Sequence, residues 1–355
     1  MIEADAYHIW RSSGALKVLA TGSCLPPKWA NPELLAMIET QCSGSLRRRA
    51  ERVLFLLKIQ SRHLSRPPQG FDGSALPGCA NSELAATALQ RALSDAGLEP
   101  NDLGYIVGHT TTPDTLLPPN IARVAEHLGY RGPFAEFRQA CVGFGSALAF
   151  AFGLLQSPKA RPIAIVGSET GSLGFDPSRA AEDHGQLVNM VQMGDGAAAL
   201  ILGPERAANG AGTIFDAYTG QIGTNLHPGF HLKITPTGHM EFEHDFMRVR
   251  EQGLALFDAG IRAAQATALP PDAADLIIPH QANGVINKVL AERYGWPQER
   301  IFVNADRLGN TGSAAILLAF DEARRGLTPG ATICLLGAEA TKYMFAGFAF
   351  RASSR

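Results

Sequence analysis

Much that would assign this 355-residue chain quickly is missing. Its five cysteines (24, 42, 79, 141 and 334) are odd in number and far apart. That argues against a disulfide framework and for a reducing, cytoplasmic compartment. No CxxC or HExxH pair occurs, so no metal site is expected. The glycines of MGDGAAALIL (193–202) are not set in a strand–GxGxxG–helix unit, so no bound nucleotide cofactor is expected either. No apolar run reaches the roughly 18 residues that span a bilayer. The start, MIEADAYHIW, lacks the apolar core of a signal peptide. A net charge of −2 gives no electrostatic case for nucleic acid or an anionic membrane. What the chain does have is 46% apolar residues against 18% charged, the balance of a globular protein with a substantial core.

Strand-like and helix-like segments alternate, which predicts an α/β fold with helix-covered sheets. NSELAATALQRALSDAGL (81–98) places Leu84, Ala85, Ala88, Leu89, Ala92, Leu93 and Ala96 on a 3.6-residue period. Asn81 or Ser82 can cap it and Gly97 suits a left-handed stop. YIVGHTTTP (105–113), RPIAIVGSE (161–169) and GAAALILG (196–203) read as buried strands, and helices are expected near 120–128 and 142–156.

The second half repeats the first. The helix-like run 251–269 is followed by PPDAADLIIPHQ (270–281), which parallels LEPNDLGYIVGHT (98–110). In both, a Pro/Asp turn leads into a short β run ending at a histidine, His109 or His280. CVGFGSALAF starts 32 residues after His109 and NTGSAAILLAF starts 30 residues after His280. Gly143 then matches Gly312, and Leu148 matches Leu317. We read the chain as two duplicated α/β halves, 1–205 and 206–355, in which Cys141 and Asn310 begin equivalent helices and converge with His280.

A thiol at a helix N-terminus gains the dipole and free N–H groups, which favour thiolate, and its own backbone N–H can serve an oxyanion. Thiolate attack on a thioester yields another thioester. Two hydrogen-bond donors, His280 and Asn310, suit the enolate formed when a second thioester loses CO2. Cys, His and Asn also serve cysteine proteases, so the trio alone does not decide.

The surrounding motifs are more specific. ACVGFGSAL, IIPHQANGVI, RLGNTGSAA and MGDGAAALIL, with TTTPDTLLPPNIA (110–122) and LKITPTGHMEFEHDFMR (232–248), resemble the ketosynthase III branch of the thiolase superfamily. The resemblance implies a thiolase fold, five-layered αβαβα, usually homodimeric. It implies Cys141 as acylated nucleophile and His280 with Asn310 as decarboxylation pair. It implies acyl-CoA or acyl carrier protein as thioester partners, with no cofactor. Asn283 and Leu117 fall near the substrate pocket. Leu117 stands where relatives commonly have a phenylalanine reaching across the dimer, and a smaller side chain there leaves room for a longer acyl group.

The chain departs from the pattern in places. The family's glycine-rich turn, which supplies part of the oxyanion hole, is replaced by LLGAEATKYMFAGFAF (335–350). Gly337 and Ala338 are the expected backbone donors there; Glu339 is either a solvated loop residue or faces the site, and the solvated reading is favoured. Val285 replaces the usual carrier-docking arginine, with Lys288 nearby. The CoA-nucleotide segment reads VLFLLKIQSRHL (53–64), with Gln60 at a usual contact position while Arg62 and His63 remain. RRRAER (47–52) is either a phosphate or carrier-protein contact or a solvated helix face, and the solvated face is favoured. Cys334 and His109 are taken as structural, and Asp195 as a hydrogen-bonding turn residue. The expected function is acyl capture by Cys141 followed by decarboxylative condensation to a β-ketoacyl thioester. A related acyltransferase passing the acyl group to a non-malonyl O, N or C acceptor, in a specialised pathway, stays open. So does a non-catalytic acyl-binding subunit.

Overall fold

The computed structural model describes residues 8–67, 74–157, 159–176, 179–207, 209–234 and 240–353. Part of the 232–248 motif, residues 235–239, lies outside them. Ten strands among the described residues form the main sheet: β1 (Ala15–Cys24), β2 (Tyr105–His109), β3 (Phe134–Phe137), β4 (Ile163–Glu169), β5 (Gly196–Pro204), β6 (Gly212–Gln221), β7 (Leu276–Pro279), β8 (Thr332–Glu339) and β9 (Met344–Ala352), with a short Trp10–Arg11 strand that pairs with β6. The helices that cover it or run through its middle are α1 (Asn81–Ala96), α2 (Asn120–Leu128), α3 (Gly143–Leu154), α4 (Phe246–Gln265), α5 (Ile286–Tyr294) and α6 (Ala315–Arg324).

Strand pairing shows the duplication directly. In the first half the order is β3-β2-β4-β5-β1. β2 runs parallel to β3 and β4, while β4–β5 and β5–β1 are antiparallel. In the second half β7 is parallel to β8, and β8–β9 and β9–β6 are antiparallel. The edge position matching β3 is held by a single parallel bridge, Ile277 to Ile301. The two halves join where β1 pairs antiparallel with β6, Ala15 opposite Phe215 and Val18 opposite Gly212.

Each helix forms for local reasons and is placed by its neighbours. α1 buries Leu84, Ala85, Ala88, Leu89, Ala92 and Leu93 and stops at Gly97, whose φ of +65° is the left-handed turn that glycine adopts at little cost. Its start differs from the expected Asn81 or Ser82 cap. Glu83 accepts the Ala80 N–H at 2.9 Å, and Asp114 accepts the N–H groups of Asn81 at 2.8 Å and Ser82 at 3.0 Å. α4 begins earlier than expected, because Asp245 caps it by accepting the Arg248 N–H at 3.0 Å.

α3 and α6 form the middle layer. Residues of both join strands of both halves in one apolar core, including Phe144, Ala147, Leu148, Ile316, Leu317 and Phe320. Phe348 of β9 meets Phe144 and Phe320 edge to face, with ring centroids 6.1 and 5.5 Å apart. Such pairs add about 0.5–1.5 kcal/mol each beyond area burial. The small residues after Cys141 have a packing reason: a Cβ at Gly145 would run into the Cβ of Ala346. α1 and α2 cover the first half-sheet, and α4 and α5 cover the second. The layers are therefore α-β-α-β-α. No helix among the described residues is long and apolar enough to cross a membrane.

Candidate active site

Four parallel strands end in buried polar residues. β2 ends at His109 and β4 at Glu169; β7 is followed by His280, and β8 ends at Glu339. By strand order, His109 matches His280 and Glu169 matches Glu339. Each glutamate crosses to the other half. Glu169 accepts from the Ser313 N–H at 3.1 Å and hydroxyl at 2.7 Å, at the turn leading into α6. Glu339 accepts from the Val142 N–H at 3.0 Å, at the head of α3. These two crossings tie the Cys141 and Asn310 turns to opposite half-sheets.

Asn310 is held firmly. Its N–H donates to the Gln192 carbonyl at 2.9 Å, and its carbonyl accepts from the Gly194 N–H at 3.0 Å. Its side-chain Oδ1 accepts the Gly312 N–H at 3.1 Å, which fixes the amide and leaves the NH2 end as a donor. Gly312 has φ +50°, and a Cβ there would lie 2.7 Å from Glu169 Oε2, so both backbone and space call for glycine. Three residues on from Asn310, the Ser313 hydroxyl, whose proton goes to Glu169, also lies 3.3 Å from the Gln139 carbonyl, two residues before Cys141.

His280 is placed by its backbone. Its N–H donates to the Leu336 carbonyl at 2.7 Å, which extends the β7–β8 ladder by one step. Burial depresses its imidazole to about 4, so the ring is neutral at ordinary pH and carries one N–H. Nδ1 is buried without a partner among the described residues. A neutral imidazole N–H and an amide NH2 are both donors without charge, a combination suited to a developing enolate oxygen.

Cys141 departs from expectation. α3 starts at Gly143, so the thiol precedes the helix rather than opening it, and the Val142 N–H is taken by Glu339. Burial first, then the charges of Glu339 and Glu169, push the thiol well above the ordinary cysteine range. The helix-head thiolate expected from sequence is overridden by burial first and then by two nearby carboxylates. Glu339 itself is 2% exposed, a buried group rather than a solvated one. Burial raises its carboxyl, while the Thr341 hydroxyl and the Val142 and Ala140 backbone N–H groups hold it down.

The expected glycine turn is also displaced. Gly337 and Ala338 are strand residues of β8, opposite Ala346 and Phe345, and the reversal falls at 340–343. Their assignment as oxyanion donors loses the turn geometry on which it rested. A Cβ at Gly337 would lie 2.8 Å from the Phe144 ring, so that glycine serves packing. Asn283 accepts the Val285 N–H at 3.1 Å, ahead of α5. Leu117 is 85% exposed in the single chain. Lys288 is an exposed neighbour of Glu292 at 3.8 Å.

Of the CoA-segment residues, Arg62 and His63 are partly engaged within the fold, while Nε and Nη1 of Arg62 are buried with no partner among the described residues. Arg62 is fully buried, donates to Asn31 Oδ1 at 2.6 Å, and is held down to about 10 by burial. The His63 ring sits 2.6 Å from the Pro26 carbonyl. RRRAER lies on a helix, Gly44–Leu57, where Arg47 pairs with Glu39 and Glu51 on the surface. Asp195 accepts from the Ser65 N–H at 2.7 Å and from the Ser172 N–H and hydroxyl, and burial raises it to about 6. Cys334 is buried in β8. His109 is enclosed between Gly143 and Gly167, either of which would strike its ring if it carried a Cβ. Sequence reasoning missed Glu169, whose signal was position: it closes the apolar strand run IAIVGSE as Glu339 closes TICLLGAE.

A two-halved sheet with a thiol, an imidazole and a carboxamide carried at its strand ends and helix heads defines a thiolase-fold acyltransferase. A family model for 3-oxoacyl-[acyl-carrier-protein (ACP)] synthase III matches residues 135–222, and its C-terminal counterpart matches 264–348. A beta-ketoacyl-[acyl-carrier-protein] synthase III of Rhodobacter capsulatus is 36% identical over 261 residues, covering 70% of this chain and 77% of that protein. That of Caldanaerobacter subterraneus subsp. tengcongensis is 30% identical over 341 residues, covering 90% and 93%. The 3-oxoacyl-(acyl carrier protein) synthase III structure of Pseudomonas aeruginosa PAO1 superposes with TM-score 0.77 and 26% identity over 96% of this chain and 99% of that one. The tetronic acid condensing enzyme AbyA1 shares the fold, with TM-score 0.82, 24% identity, and 94% and 99% coverage. The chain belongs to the 3-oxoacyl-ACP synthase III family, the ketosynthase III branch of the thiolase superfamily, and is a condensing enzyme.

Proposed function

We propose that an acyl thioester loads Cys141, that a malonyl-type thioester then loses CO2 against His280 and Asn310, and that the resulting carbanion attacks the acyl-Cys141. The product is a β-ketoacyl thioester. The observation that carries this reading is the pair of uncharged donors. Asn310 presents its NH2 end because Gly312 occupies Oδ1, and His280 is neutral because it is buried. A neutral donor stabilises an enolate oxygen without first binding the malonyl carboxylate as a salt. Neither step needs a metal or a redox cofactor, since the electrons stay in carbon, oxygen and sulfur throughout.

Acyl-CoA and acyl carrier protein are the proposed donors and acceptors, by likeness to the named relatives. The five free thiols support a cytoplasmic, reducing location. The exposed side chains of Leu116 and Leu117 support a homodimer in which this loop is covered. The departures at Gln60, Val285 and the 337–343 segment support a specialised pathway.

Intact-protein mass spectrometry with a panel of acyl-CoA and acyl-carrier donors tests loading. The wild type gains an acyl mass and Cys141→Ala does not. Adding the malonyl thioester then releases CO2 in the wild type, and His280→Ala or Asn310→Ala lowers that release about 10²–10³-fold, as removing an oxyanion donor does elsewhere. Discharge of the acyl group without CO2 would instead support transfer to a non-malonyl acceptor. A wild type that takes no acyl group from any donor would support the binding-subunit reading.

A further inference from the structure

Four donors meet on one buried carboxylate, Glu169, to which the scheme above gives no task. The Thr111 hydroxyl at 2.8 Å and the Thr112 hydroxyl donate to Oε1. The Ser313 N–H at 3.1 Å and hydroxyl at 2.7 Å donate to Oε2. A carboxylate offers about four lone-pair sites, so both oxygens are filled. Two of the donors lie in the loop after β2, and two lie in the turn after Asn310. That turn fits closely against the carboxylate: a Cβ on Gly312 would lie 2.7 Å from Oε2. It also decides how the Asn310 amide is held. A side chain capping a helix head accepts the N–H two or three residues on. For Asn310 these belong to Gly312 and Ser313. Oδ1 takes the first at 3.1 Å, and Glu169 takes the second. The Asn310 backbone is pinned by Gln192 and Gly194, so the side chain is what remains to be set. If Glu169 is removed, the Ser313 hydroxyl can turn to the Gln139 carbonyl, 3.3 Å away. The buried Ser313 N–H has no such second partner. Asn310 Oδ1 is the acceptor that spacing offers it, and taking that bond turns the amide.

We propose that Glu169 is a positioning residue for decarboxylation: by taking the Ser313 N–H it holds Asn310 Oδ1 on Gly312 and keeps the amide NH2 end free as a donor. The proposal rests on the reading of Asn310 as a decarboxylation donor. Glu169 works by reach, since one side chain must span from the Thr111 and Thr112 hydroxyls to the Ser313 N–H. It acts through the Asn310 amide and exchanges no proton or bond with the substrate. The residue stands at the end of β4 in the first half, whereas the amide it sets belongs to the second half. The decarboxylation donor is therefore complete only when the halves have closed on one another.

The test reads two single-turnover rates in each variant: acylation of Cys141 by intact mass, and CO2 release from a malonyl thioester on the acylated enzyme. Glu169→Ala should lower CO2 release about 10²-fold, the size expected for a displaced oxyanion donor. Acylation should fall at least about tenfold less than that. Glu169→Gln can keep its oxygen on the Ser313 N–H and turn its NH2 to the threonine hydroxyls, which also accept. It should recover most of the lost CO2 release. Glu169→Asp keeps the charge on a shorter arm and should recover less than glutamine does. In an Asn310→Ala background, Glu169→Ala should lower CO2 release little further, because the two residues act as one unit. Equal losses in both rates mean that Glu169 only supports the fold. Aspartate outperforming glutamine means that charge, not reach, is what counts. Full additivity with Asn310→Ala means that Glu169 does not act through that amide. Each of these overturns the proposal. Failure of the alanine variant to fold is met by the glutamine and aspartate variants, whose order in CO2 release, read against acylation, decides in the same way. CO2 release untouched by Asn310→Ala overturns the reading of the site, whereas release lost in Asn310→Ala but kept in Glu169→Ala overturns the positioning role alone.

Discussion

Gly143→Ala tests how tightly the nucleophile is placed. Gly143 is the first residue of α3, two positions after Cys141. A Cβ there would sit 2.5 Å from His109 Nδ1, 2.7 Å from Cγ and 2.8 Å from Cβ. Ordinary contacts between such atoms are about 3.5–4.0 Å, so the helix head must retreat by about 1 Å or the ring must move. The ring has little freedom, because Gly167 closes its other side. Overpacking of this kind costs about 1–3 kcal/mol of stability. A displacement near 1 Å at a reacting atom costs about 10²-fold in rate. Calorimetry should show a lower Tm, and single-turnover mass spectrometry should show Cys141 loading reduced by that factor. Gly143→Ala with His109→Ala removes the ring the new methyl strikes, and loading should return most of the way. Loading within about threefold of wild type in the single variant, at unchanged Tm, would refute the reasoning, since it would mean the head of α3 has slack that a fixed nucleophile does not allow.

Acid should destabilise the fold through its buried histidines. His109, His244 and His280 are each depressed from 6.5 to about 4 by burial. A depressed imidazole contributes stability that is full above about pH 6.5 and is lost as pH falls towards 4, because the unfolded chain binds the proton first. At pH 5 the loss is about 2 kcal/mol per histidine, offset by about 1 kcal/mol from Asp195, which burial raises instead. Urea midpoints at pH 7 and pH 5 measure this; a midpoint that does not fall contradicts the burial of these rings. Leu117→Phe, if the loop lies against a bound acyl chain in a dimer, should shift donor preference towards shorter chains. A panel of acyl-CoA lengths with equal profiles for both proteins would remove Leu117 from the pocket. Gly312→Ala should impair decarboxylation more than loading, because the new Cβ meets Glu169 and disturbs the turn that fixes the Asn310 amide. Separate assays of CO2 release and of loading distinguish this from a uniform loss.

By itself, the sequence determined the repeat. Apolar periodicity and the paired runs ending at His109 and His280 placed α1, α2 and β2 within a residue or a few, and the motifs around Cys141, His280 and Asn310 placed the chemistry. These features are local: a helix period, a strand's apolar run and a glycine stop each act over a few residues, so they can be read in order along the chain.

What only the tertiary structure decided lies in contacts between residues far apart. Asp114 caps α1 from 33 positions away, beside the local bond from the Ala80 N–H to Glu83. Glu169 and Glu339 cross between the halves over separations of 144 and 197 residues. The ionisation of Cys141 was misjudged for the same reason. The helix dipole is visible in sequence, but it is worth about a kcal/mol and fades within the first turn. Desolvation and two buried carboxylates outweigh it, and both exist only once the halves have closed on one another.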